Sequence, residues 1–164
     1  MGLDMYLFKL NKKAESEKEL KLYTSARHVD LESLEEKEEL KNNNLELYNF
    51  IVENNIVTED IEIDHLAYWR KHADLHKMME DIYFDRGGED VFNCVPLILS
   101  KDEIEEILEI TNEVLNGELE VEQGQGFFWG TTTKEDWVDT KNVFEDVLAN
   151  TDFDNETIYY DSWW

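Results

Sequence analysis

The sequence predicts an α+β fold: a single compact domain, residues 1–164, in which a small, mostly antiparallel sheet is packed with about four to five helices. Three observations predict it. The two ends of the chain, Met1–Leu10 (MGLDMYLFKL) and Thr157–Trp164 (TIYYDSWW), are apolar and aromatic in the manner of strands. The stretch between them carries repeated helix-start signals. A chain of 164 residues with 41% hydrophobic content has the size of one domain with a substantial core, and no repeat or linker divides it.

Taken in order, Met1–Leu10 is apolar on both faces after Asp4, which suits a central strand buried between layers. Glu19–Tyr23 alternates loosely and reads as a partner strand across a Lys12–Ser16 turn. From Asp30 the pattern becomes helical, with Ser33 and Glu36 spaced as a capping box, and a second helix starts at Asn44 with Leu47, Phe50 and Ile51 facing inward. Spacings near three and four between Trp69, Ala73, His76 and Tyr83 predict a helix from about Asp64 to Phe84 with His76 turned inward.

Pro96 limits Cys94–Leu99 to an edge strand or an extended lead into the next helix. That helix, Ser100–Gly117, has a Ser100/Glu103 capping box. Its apolar stripe is Ile104, Ile107, Leu108, Thr111, Val114 and Leu115, and a glycine follows its end. Gln123–Gly130 (QGQGFFWG) reads as a short strand or tight loop, and a last helix starts near Thr132 or Thr133, burying Trp137, Phe144, Val147 and Leu148. Two terminal tryptophans in water would invite aggregation, so the final strand is expected to pair with the first or to dock on the core.

Charge narrows the function. Forty acidic against 15 basic residues give −25, and residues 87–164 contain only Lys101, Lys134 and Lys141 as cations. Such a field repels nucleic acid and anionic lipid and attracts basic protein surfaces. Direct nucleic-acid binding is disfavoured. The acidic residues either solubilise helix faces or, in a sharper reading, imitate DNA phosphates. No apolar stretch approaches the roughly 18 residues of a membrane span, and the start lacks a secretory pattern. Tyr6 stands where a myristoylation signal needs Ser or Thr. A cytoplasmic protein without membrane attachment is expected. One cysteine, Cys94, excludes a disulfide framework.

Few residues could carry chemistry. Arg70, Lys71, His72, His76, Lys77 and Arg86 form the one basic island. There Arg70 could clamp a phosphate or carboxylate while Trp69, Phe128 or Trp129 stacks a base; alternatively these cations pair with neighbouring acids. His72, His76 and Glu80 share a helical spacing compatible with metal ligation, but Ala73 replaces the glutamate of the zinc-protease motif, so no metal is assigned. Cys94 would be a nucleophile only beside a base such as His76, and a buried structural thiol is the simpler expectation. Phosphate-binding, hydrolase-elbow and dinucleotide motifs are absent, and no cofactor is called for.

The opening MGLDMYL, the YWRK motif (Tyr68–Lys71) with His76 and Lys77 beyond it, the GFFWG run (Gly126–Gly130) followed by Trp137, and the terminal YYDSWW fall in order along nearly the whole chain. Together they resemble a family of small acidic phage and prophage proteins of unassigned function. Tyr68, Trp69, Arg70, Lys71, His76, Cys94, Phe127, Phe128 and Trp129 occupy its motif positions. The resemblance implies an accessory protein in the host-cell cytoplasm that binds and inhibits a host protein, one with a basic surface given the charge; no motif supports enzymatic activity. The alternative is a nucleotide or anion site using Tyr68, Trp69, Arg70, Lys71, His76, Phe128 and Trp129; a DNA mimic ranks below both.

Overall fold

A computed structural model describes every residue except Met1, Glu32, Gln123, Phe127 and Phe128. Four strands form one antiparallel sheet in the order β2-β1-β4-β3: β1 (Asp4–Leu10), β2 (Ile63–Arg70), β3 (Leu97–Leu99) and β4 (Thr157–Trp163). Among the described residues there are six α-helices: α1 (Glu17–Ala26), α2 (Leu34–Asn43), α3 (Leu45–Glu53), α4 (Ala73–Asp85), α5 (Lys101–Asn116) and α6 (Lys134–Asn150). The α+β class and the pairing of the first strand with the last are as the sequence predicts.

Strand β1 is central. Its residues Met5 and Leu7, with Leu3 just before it, point to one face, where Trp69, Ala67, Tyr160 and Ile158 join them under α4, α5 and α6. Its even residues point to the other face. Near one end of that face Leu10, Ile63 and Tyr159 are covered by Leu20 and Ala26 of α1 and by Leu47 and Ile51 of α3. The sheet is thus fully roofed on the inner side and half roofed on the outer side.

The helix starts follow their capping chemistry. Ser33/Glu36 and Ser100/Glu103 close capping boxes, Thr133 and Asp136 close a third, and Gly117 ends α5 with φ 75°. Pro96 precedes β3, a three-residue edge strand that pairs with β4.

Two expectations are corrected. Glu19–Tyr23 lies in helix α1, because Ser16 caps the helix by accepting a hydrogen bond from the Glu19 backbone N–H. The S-x-x-E spacing outweighed the weak alternation. Tyr68–Arg70 of the YWRK motif end strand β2 instead of lying in a helix, Lys71 follows the strand, and α4 begins only after His72. Trp69 matched the helical stripe of Ala73 and His76 because all three face the same core layer, although Trp69 reaches it from the sheet.

Candidate functional site

Strand alternation divides the predicted site between two faces. Trp69 is 3% exposed and lies against Phe144 of α6 on the inner side, while its neighbours Tyr68 and Arg70 point outward. Lys71 is exposed and turns the chain from β2 into α4 with φ 64°. His76 has no exposed surface and Trp129 is 5% exposed. Phe128 and Phe127 lie outside the described residues.

On the inner side the GFFWG run does reach α4, as packing. The edge of Trp129 meets the His76 ring at 4.4 Å, Gly124 N–H donates to Asp74 Oδ1 at 2.9 Å, and Gly130 sits against the side chain of Lys71. His76 Nδ1 shares a 2.7 Å hydrogen bond with Tyr160 Oη, and its ring stacks on Phe92. His72 caps α4: its Nδ1 accepts from Leu75 N–H at 3.3 Å, and its Nε2 is 3.1 Å from Thr140 Oγ1. Burial lowers both histidines to about 4, in His72 against the pull of Asp136 and Asp74, so both are neutral near pH 7. Burial also raises the Tyr160 phenol well above its ordinary value. A buried neutral His–Tyr pair could exchange a proton, but these groups are sealed from any substrate in solution. Trp69 and Trp129 are equally closed to a stacking base.

The thiol of Cys94 is exposed, which corrects the expectation of a buried structural cysteine. The residue has φ 57° and its Sγ lies 3.7 Å from Asn93 Oδ1. It is held at the surface because its backbone N–H donates to Ser162 O at the end of β4. Among the described residues no group of three or more His, Cys, Asp or Glu side chains is placed to hold a metal ion. The basic island is largely paired with acids: Lys77 with Asp81, and Arg86 with both oxygens of Glu103 (2.5 and 2.6 Å) and with Glu17.

The outer side is different. Three cross-strand rows lie side by side, the first two beyond the edge of the α1–α3 roof and the third at that edge with Tyr159 beneath it: Arg70–Asp4–Trp163, Tyr68–Tyr6–Asp161 and His65–Phe8–Tyr159. The rings of the second and third rows touch one another. Tyr6 is 5.3 Å from Tyr68, 5.9 Å from His65 and 6.0 Å from Phe8, and Phe8 stacks on Tyr159 at 5.1 Å. Tyr68 is 46% exposed and Trp163 57%. The final strand pairs with the first as expected, and that pairing leaves the Trp163 side chain exposed while Trp164 turns back, donating from Nε1 to Phe92 O.

Acidic groups are set into this aromatic surface. Tyr68 Oη donates to Asp4 Oδ1 at 2.5 Å, which raises the phenol, and Arg70 Nε stands 3.9 Å from the same oxygen. Asp161 is half-buried, and burial holds its carboxyl above the usual aspartate range. Chemically this surface can stack a planar group, accept N–H donors and attract cations.

Of the predicted residues, Tyr68 and Arg70 belong to this surface. Tyr6, Phe8, His65, Asp161 and Trp163 were not foreseen. The signal was present in MGLDMYLF, where even positions read Asp, Tyr, Phe against Leu, Met, Leu at odd positions. That alternation marks one face as less buried than the other.

Comparison with protein-family models, with curated proteins and with solved structures finds no match to this chain.

Proposed function

We propose that this chain is a non-enzymatic binding protein that docks on a partner protein through the open half of the outer sheet face. The observation that carries the reading is the row of touching rings Tyr68, Tyr6 and His65, with Trp163 exposed on the same face, beside a half that from Phe8 onward is roofed by α1 and α3. Contiguous exposed aromatic surface on a small domain marks an interaction site, and aromatic residues concentrate binding energy. The net charge of −25 selects a basic partner surface and disfavours anionic ligands. With the phage-family resemblance, the partner is a host protein whose activity the bound chain blocks by occlusion, in a counter-defence or host-takeover role.

The test is site-specific photocrosslinking in host lysate, with a photoreactive phenylalanine at position 68 or, as a control on the far side of the molecule, at Val138 of α6. A discrete adduct is expected from position 68 alone, weakened by Tyr6→Ala and by raising salt from about 0.05 to about 0.5 M. Identical adducts from both positions, or none from position 68, would refute the docking surface.

A further inference from the structure

The open face has two carboxylates, and they differ in what they already hold. Asp4 is engaged by the Tyr68 hydroxyl and lies near Arg70. Asp161, directly opposite Tyr6 across the β1–β4 ladder, accepts a hydrogen bond at Oδ1 from its own neighbour, the Ser162 backbone N–H at 2.8 Å, and forms no salt bridge among the described residues. A half-buried carboxylate without a counter-ion is costly to a fold. Its raised ionisation range reflects that cost, and the field of Lys21 and the Ser162 bond offset it only in part. Large rings lie beside it in the ladder. Tyr6 is its cross-strand partner, and Trp163, two residues along β4 on the same face, is 57% exposed.

Resting on the docking surface proposed above, we infer that Asp161, Tyr6 and Trp163 form a seat for one cationic side chain of the partner protein, arginine in preference to lysine. A planar guanidinium can stack on an aromatic face while its N–H groups donate to a carboxylate, and it sheds water more readily than an ammonium. The protein supplies both elements within one cross-strand neighbourhood. Arg70 is directed to Asp4, and Lys21 of α1 acts on Asp161 through its field without a salt bridge to it.

The experiment is an amide NMR titration of the full chain with N-acetyl-arginine methylamide at low salt, beside the uncharged N-acetyl-norleucine methylamide. Shifts are expected at the amides of Tyr6, Asp161 and Trp163 and at the Trp163 indole with the arginine probe only. Asp161→Asn should weaken that binding about tenfold. The dispersion of its spectrum reports whether this near-isosteric variant still folds; should it not, Trp163→Ala, at an exposed position, is expected to weaken binding severalfold instead. Equal shifts from norleucine, shifts centred elsewhere, or unchanged affinity in the folded variants would overturn the seat. Loss of the arginine effect with the position-68 crosslink retained removes only this inference, whereas loss of the crosslink removes the docking surface itself.

Discussion

On the inner face of the sheet Trp69 and Tyr160 meet Phe144, His76 and Phe92 with almost no surface left to water; on the outer face Tyr6, Tyr68 and His65 form a comparable aromatic assembly that stops at solvent. Both use the same strands, residue by residue in alternation. The inner face has a roof of three helices and the GFFWG run, and the outer face a roof that ends near Phe8. Burying rings is the cheapest source of stability a small domain has. Leaving a contiguous set half-exposed forgoes that gain, and a partner surface can recover it. On the docking role proposed above, the difference separates residues that hold the fold from residues that meet a partner.

Substitution on each face should widen that contrast. Phe144→Ala removes a fully buried ring that packs on Trp69, and a loss of about 3–5 kcal/mol in urea unfolding is expected. Tyr68→Ala, at 46% exposure, should cost less than about 1 kcal/mol and spare the fold. Comparable losses from the two variants would mean that the outer face is core, and the separation of roles would collapse.

Much of this contrast was legible before any coordinates. The β1 and β4 segments, the Ser100–Gly117 helix and the inward direction of His76 follow from alternation, capping and spacing, all of which act over a few residues. What escaped is what depends on layers. Trp69 fits a strand or a helix equally when only its distance from His76 is counted, and nothing local says that α1–α3 cover Leu10 but not Tyr6. The Leu7/Phe8 irregularity, which pairs Leu7 with Ala67 but Phe8 with His65, also breaks the clean period of β2 that would have exposed its strand character. The Ser16/Glu19 spacing, by contrast, is as local as the other capping pairs and marks the start of α1 in the sequence.

The inner face also has a signature in pH. His72 titrates near 4 in the folded protein, below the 6.5 of an ordinary histidine, because burial disfavours its charge. The unfolded chain therefore takes up a proton that the folded chain refuses. Stability from this group is complete above about pH 6.5 and is lost as pH falls toward 4, by on the order of 3 kcal/mol. Relief of the −25 self-repulsion acts in the opposite direction on the whole molecule. The informative quantity is thus a difference between variants. His72→Asn keeps a side chain able to cap α4 but does not titrate. Urea unfolding at pH 7 and just below pH 4 should show the wild type losing on the order of 3 kcal/mol more than this variant. Parallel pH profiles would mean that water reaches His72 and that the inner face is open after all.

The smallest effect tests how tightly the inner roof is closed. Gly130 has φ 78°, and a Cβ there would lie 2.8 Å from the Cβ of Lys71; Gly117, at the end of α5, has a similar φ of 75° with nothing within 4 Å of a Cβ. Alanine at either position meets the same backbone penalty, about 1 kcal/mol. Only at position 130 does it also press the loop away from the β2–α4 turn, where Trp129 covers His76. Gly130→Ala should therefore cost about 1–2 kcal/mol more than Gly117→Ala. It should also raise the accessibility of the His76 ring, read as faster hydrogen–deuterium exchange at its C2 position, while leaving arginine binding on the outer face unchanged. Equal costs for the two glycines would show that the loop yields freely at Lys71, and the inner roof would then be a loose cover and not a seal.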